Sequence, residues 1–220
     1  MAQLIGSLDA DRVRANVARV RDRIADAAAG AGRDTDDVEL LAAVKYVPVD
    51  QLGVLRDAGI ELVGENRAQE LARKRAEHPD FIWDFIGTLQ SRKVRELLEG
   101  VRLIHSVATD SALAQLERHG DGEATEVLVE VNLSGEASKA GVAPAELAGF
   151  VARCPVRVGG LMTLPPPADN PERSRPYFAR LRELSQRMGL ARLSMGTSQD
   201  FEVAVQEGAT IVRIGTILYR

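Results

Sequence analysis

Glu39-Leu40-Leu41-Ala42-Ala43-Val44-Lys45-Tyr46-Val47-Pro48 carries an unbroken run of small and apolar residues into one lysine, with a proline three positions later. A run this short, closed by proline, reads as a strand buried on both faces, the kind a parallel sheet uses. The lysine falls where the strand ends. A cation there is either a snorkelling rim residue or a reactive amine at the mouth of a site, and the stretch alone leaves both open.

Outward from this strand the pattern alternates. A helical stretch over 50–58 leads to a short strand over 61–63, and Gly64-Glu65-Asn66 turns into a helix ending near His78-Pro79. Strands follow over 81–86, 101–105, 126–131, 156–161, 191–193 and 210–214, separated by helical patterns over 91–99, 110–119, 144–153, 171–188 and 200–207. Strands alternating with helices give an α/β fold with a parallel sheet. Eight such units in about 180 residues fit a closed barrel better than a flavodoxin-like open sheet. Upstream, Val13, Val17, Val20, Ile24 and Ala27 make one apolar stripe of a helix over 8–30, which Gly30 and Gly32 end. The expectation is a single (β/α)8 TIM barrel over 38–220, preceded by an N-terminal helix and linker over 1–37. No composition shift marks a second domain, so 1–220 reads as one unit.

Composition narrows the function. With 45% apolar and 27% charged residues the chain is of ordinary globular type, and a net charge of −4 argues against nucleic acid or an anionic membrane as partner. Cys154 is the only cysteine, which fits a reducing, cytoplasmic compartment, and it precedes Pro155 at a strand entrance as a packing residue. No run approaches the length of a membrane helix. Residues 1–7 lack the charged and apolar regions of a signal peptide.

In such a barrel the carboxyl ends of the strands carry the chemistry. Those positions hold Lys45, Asn66, Gln90, His105, Asn132, Met162, Ser198 and Arg213. The set has no paired carboxylates, so acid–base hydrolysis is unsupported. His78, His105 and His119 have no metal-ligand spacing, so no metal is expected. His78 and His119 read as helix-end caps, and His105 as a strand-end residue whose place, in the packing or behind the site, the sequence leaves open. Ser194-Met195-Gly196-Thr197-Ser198-Gln199-Asp200 and Arg213-Ile214-Gly215-Thr216 are small, hydroxyl-bearing loops after the seventh and eighth strands, where these barrels often bind phosphate. A helix starting just after Ser198 would add its positive end. A phosphate pocket facing a lysine suggests a phosphorylated aldehyde held as a Schiff base; an apolar strand end and a nearby cation such as Arg213 both favour the neutral amine that this needs. The proline-rich stretch Leu164-Pro165-Pro166-Pro167-Ala168-Asp169-Asn170-Pro171 follows a strand end and is expected to border the site.

Assembled in order, Leu41-Ala42-Ala43-Val44-Lys45 with Pro48, Gly64-Glu65-Asn66, Phe85-Ile86-Gly87-Thr88-Leu89-Gln90 with Lys93, His105-Ser106-Val107, Val131-Asn132, Lys139-Ala140-Gly141, Gly160-Leu161-Met162-Thr163, Ser194-Met195-Gly196 and Arg213-Ile214-Gly215-Thr216 make a chain that resembles the pyridoxal phosphate homeostasis (YggS/PROSC) family over nearly its whole length. The resemblance implies a barrel like the amino-terminal domain of alanine racemase and pyridoxal 5′-phosphate (PLP) as a Schiff base on Lys45. It implies phosphate contacts from Ser198, Gly215 and Thr216, Asn66 and Met162 beside the cofactor, and Arg213 facing the pyridine nitrogen. It implies a non-catalytic binder that keeps free aldehyde low and hands PLP to dependent apoenzymes; separately, the chain is expected to be a monomer. Asp84, Thr197 and Val44 depart from the family's common His, Met and Ser. The chain ends at Ile217-Leu218-Tyr219-Arg220, where relatives usually continue past a glycine, so the last helical position of the barrel is expected to be open.

Two other functions share parts of this inventory. A PLP-dependent racemase would need an opposing tyrosine; Tyr46 adjoins the lysine but on a strand would point the other way. A cofactor-free Schiff-base aldolase accounts for the lysine and the phosphate loops, and only the wider resemblance ranks it lower.

Overall fold

The computed structural model describes residues 5–122, 124–136 and 139–220. Eight parallel strands close into a barrel in chain order: β1 (Glu39–Ala43), β2 (Leu62–Glu65), β3 (Ile82–Phe85), β4 (Leu103–Val107), β5 (Glu126–Glu130), β6 (Arg157–Met162), β7 (Arg192–Thr197) and β8 (Ile211–Ile214). β8 returns to β1, with Leu41 opposite Arg213. The helices are α1 (Ala10–Gly30) before the barrel, then α2 (Leu52–Asp57), α3 (Ala68–Glu77), α4 (Val94–Leu98), α5 (Asp110–His119), α6 (Leu147–Ala152), α7 (Arg175–Arg187), α8 (Phe201–Gln206) and α9 (Thr216–Tyr219). This is the α/β barrel with an N-terminal helix that the alternation predicts.

The strands alternate between two cores because successive side chains point to opposite faces. Leu41, Leu62, Leu103, Leu128, Met162 and Ile211 cluster inside the barrel, while the larger cluster lies between strands and helices. Below the inner apolar layer, at the amino ends of the strands, charges of both signs interlock. Arg102 pairs with Asp84 and Glu39, and Arg192 bridges Glu39 and Glu126, which also holds Arg157. This floor leaves the carboxyl ends as the open side.

Helix α1 buries the predicted stripe of Val13, Val17, Val20, Ile24 and Ala27, and Asp9 caps it by accepting from Arg12 N–H at 2.9 Å. It lies against α2, α8 and α9. Its buried Asn16 donates from Nδ2 to the carbonyls of Leu218 (3.3 Å) and Arg220 (2.9 Å). The last helical position is therefore filled, not open: the single turn of α9 continues into the flank of α1, whose apolar stripe had to be buried somewhere.

Three element boundaries matter for the site. β1 stops at Ala43, so Lys45 and Tyr46 lie in a turn closed by Val47 N–H to Val44 O at 3.0 Å. β4 runs on to Val107, which puts His105 inside the barrel, where it is wholly buried, and not at its rim. β7 reaches Thr197 and absorbs Ser194-Met195-Gly196, expected as loop. Gly196 allows this at φ +91°, where a Cβ would stand 2.5 Å from Ala204 Cβ.

Candidate functional site

A cavity of about 750 Å³ opens at the carboxyl ends of the strands. Lys45, Asn66, Met162, Ser198, Arg213, Gly215 and Thr216 all line it. The fold thus brings together residues spread over most of the chain.

Lys45 is held from behind. Ala43 O accepts from the Tyr219 hydroxyl at 3.1 Å, and Val44 O accepts from Lys74 Nζ at 2.7 Å. Lys74, although on a helix, is 2% exposed, because its ammonium also pairs with the buried Glu65 carboxylate at 2.6 Å. The other Glu65 oxygen accepts the backbone N–H of Asn66 (2.8 Å) and of Arg67 (3.2 Å). One buried ion pair therefore braces both the lysine turn and the Asn66 turn. Gly87 packs backbone to backbone against the latter; a Cβ at 87 would meet Asn66 O at 2.1 Å. The Lys45 ammonium lies 4.9 Å from the Tyr46 ring centroid, and both residues line the cavity. Tyr46 does not point away, because a turn breaks the two-residue alternation of a strand.

Beside the lysine turn, just after the strand paired with β1, Gly215 N–H donates to Ser198 Oγ at 3.0 Å, joining the two phosphate-type loops. The expected helix does not start directly after Ser198. It starts at Phe201, and Asp200 stands at its amino end, where its carboxylate accepts from Thr197 N–H (2.7 Å) and the Ser174 hydroxyl (2.8 Å). The helix end is thereby occupied by an acidic residue, so an anion in the cavity would rely on Ser198, Thr216 and backbone amides.

Arg213, 7% exposed, projects from β8. Its Nη1 donates to Ser194 O (2.8 Å) and Ser194 Oγ (2.6 Å), and its Nη2 to Thr163 O (3.0 Å). Burial lowers its pKa to about 10, with Glu130 and Asp200 opposing the shift. Glu130 ends β5 and lines the cavity; burial raises its carboxyl above the ordinary range against the pull of Arg213. The sequence pattern carries the fifth strand one residue further, to 131, which makes Asn132 the strand-end residue and hides Glu130. Spacing from Leu128 would have found it, since residues two apart share a face.

Three sequence candidates fall outside this cavity. Asn132 lines an adjoining pocket of about 320 Å³ under the proline-rich stretch, and its Nδ2 donates to Glu136 O at 2.9 Å. Leu164 of that stretch lines both spaces. Gln90 is turned to the guanidinium of Arg92. His105 lies behind Arg213, bonded to Asp84 and Ser194. His78 is half-buried and reaches Val49 O at 2.8 Å, which makes it more than a solvated cap. Burial raises the half-buried Cys154 thiol, in keeping with a packing role. No metal-ligating cluster and no helix long and apolar enough to cross a membrane occur among the described residues.

A closed barrel of eight parallel strands in chain order is a fold this chain shares with alanine racemase. Alanine racemase from Corynebacterium glutamicum superposes with a TM-score of 0.73 over 100% of this chain and 64% of its own, at 19% identity, a likeness of fold. The family profile "Alanine racemase, N-terminal domain" matches residues 8–220. The pyridoxal phosphate homeostasis protein of Aquifex aeolicus is 42% identical over 217 residues, covering 92% of this chain and 95% of that protein. PipY of Synechococcus elongatus, solved with PLP bound, matches at 33% identity and a TM-score of 0.74, over 90% of this chain and 100% of its own. The chain belongs to the pyridoxal phosphate homeostasis proteins, within the alanine racemase N-terminal domain family.

Proposed function

We propose that this protein binds PLP in the 750 Å³ cavity, with Lys45 as the Schiff-base lysine, and serves its homeostasis without turning over a substrate. The observation that carries the reading is one cavity lined by one amine, one buried guanidinium and the joined Ser198–Gly215 loops. These groups fit a phosphorylated aldehyde on a pyridine ring: Lys45 would take the aldehyde, Ser198, Gly215 and Thr216 would hold the phosphate, and Arg213 would face the ring nitrogen. Asn66 and Met162 form the walls. When bound, PLP supplies an electrophilic aldehyde and a ring that can act as an electron sink. An arginine at the ring nitrogen does not stabilise its protonated form as a carboxylate would, which weakens that sink. The chain then holds the cofactor for transfer to apoenzymes. Relatives named for PLP homeostasis and the PLP-bound PipY structure support the assignment. The single cysteine suits a cytoplasmic setting.

Purified protein incubated with PLP is expected to turn yellow, and borohydride is expected to fix the cofactor to the peptide carrying Lys45. Lys45→Ala should lose the colour. A colourless wild-type protein that takes up no PLP would sink the reading and revive the aldolase. The nearness of Tyr46 to Lys45 makes racemisation the second reading, and alanine turnover at enzyme-like rates would establish it.

A further inference from the structure

A column of buried polar groups runs along the barrel axis from the floor to Arg213. Asp84, His105 and Ser194, on β3, β4 and β7, are each 0% exposed. Arg102 donates to both Asp84 oxygens, from Nε at 3.0 Å and Nη2 at 2.7 Å. His105 Nε2 lies 3.0 Å from Asp84 Oδ2, and His105 Nδ1 lies 2.9 Å from Ser194 Oγ. Ser194 Oγ in turn accepts from Arg213 Nη1 at 2.6 Å. A column of this kind in the middle of a barrel occupies space that apolar side chains would otherwise fill, and each member costs free energy unless satisfied.

The hydrogens can be placed by elimination. Arg213 only donates, so Ser194 Oγ is its acceptor. The Ser194 hydroxyl hydrogen then needs an acceptor of its own, and His105 Nδ1 is beside it. Nδ1 is therefore bare, Nε2 carries the hydrogen, and Asp84 accepts it as a carboxylate matched by Arg102. Every bond runs one way, from Arg213 down to Asp84, with His105 neutral. Ser194 holds both hydrogens of Arg213 Nη1, and Thr163 O holds one of Nη2. The inventory leaves Nε–H and one Nη2–H for the cavity.

We propose that Asp84, His105 and Ser194 are positioning residues that lock the rotation and charge of Arg213, so that it donates to the cofactor's ring nitrogen and keeps that nitrogen unprotonated. This rests on the PLP reading above and adds to it the device that sets the ring's protonation state. The identity of Asp84 is part of the device: only a carboxylate at that position both accepts the Nε2 hydrogen, which fixes the tautomer, and neutralises Arg102.

The test is nitrogen NMR of isotope-labelled PLP bound to wild type, Ser194→Ala and the control Ser185→Ala. Ser185 is as buried as Ser194, but its hydroxyl donates to Leu190 O just past the end of α7. In wild type and Ser185→Ala the ring nitrogen should stay unprotonated from about pH 6 to pH 9, while in Ser194→Ala it should titrate within that window. Ser194→Ala should also weaken PLP binding roughly tenfold. A ring nitrogen that is equally unprotonated in Ser194→Ala, or already protonated in wild type, overturns the proposal. A wild type that binds no PLP removes the underlying reading instead, and the proposal falls with it. Imidazole nitrogen spectra of the cofactor-free wild type give a second readout that needs no variant. The Nε2–H tautomer of His105 is expected across the same range, and an imidazolium or an Nδ1–H tautomer overturns the column.

Discussion

At the scale of single residues, the site depends on groups that do not touch the cavity. Lys74 and Glu65 form a buried pair whose hydrogen bonds reach Val44 O and the amides of Asn66 and Arg67. Removing one partner leaves the other as an unpaired buried charge, so Lys74→Met is expected to cost about 3–5 kcal/mol in urea unfolding. It should also loosen the Lys45 turn. His105 makes a separate prediction about pH. Burial lowers its pKa, outweighing the attraction of Asp84, while Arg213 and Arg102 also act downward. Burial alone would raise the Asp84 carboxyl, but hydrogen bonds from His105 and Arg102 hold it below the ordinary value. In both groups the folded state binds fewer protons than the unfolded state, so stability is fully present at neutral pH. The His105 share is lost as pH falls below about 6.5, at up to about 1.4 kcal/mol per pH unit. Denaturation midpoints measured across that window check it, and His105→Gln should flatten the slope.

At the scale of elements, the helix before the barrel is a structural member of it. Asn16 satisfies the carbonyls of Leu218 and Arg220, and α9, a single turn, is further held by the burial of Leu218 and by the Tyr219 hydroxyl on Ala43. Asn16→Ala is expected to destabilise the protein by about 1–3 kcal/mol through the lost bonds, with hydrogen exchange rising first in α9. The element scale is also where the sequence was most and least legible. The existence of all eight strands and of the α1 stripe could be read, because burial on one or both faces imposes a period on the residues. The ends could not. β1 stops before Lys45, β4 runs past His105 and β7 runs through Gly196. Strand ends are set by pairing with neighbours: Leu103 and Ile104 of β4 pair with Asp84 and Phe85, and Arg213 of β8 pairs with Thr197. A local pattern carries no record of such partners.

At the scale of the molecule, closure of the barrel makes one inner core and one open side. Leu128 is fully buried in the inner cluster beneath the cavity. Leu128→Ala should cost about 2–5 kcal/mol, as deletions in closely packed interiors do. For a chain of this size, calorimetry should record a fall of roughly 2–4 °C in Tm per kcal/mol. What the sequence determined by itself was the alternation of buried strands and amphipathic helices and, with the family resemblance, seven of the residues that line the cavity. The first is a matter of period and the second of short motifs whose residue types show without exact strand ends, and both are local. What only the tertiary structure decided was the charged floor, the Lys74–Glu65 brace, the place of Glu130 and the column from Asp84 to Arg213. Each joins side chains on different elements whose partnership exists only once the barrel has closed, and the requirement that buried polar groups find partners is what selected them.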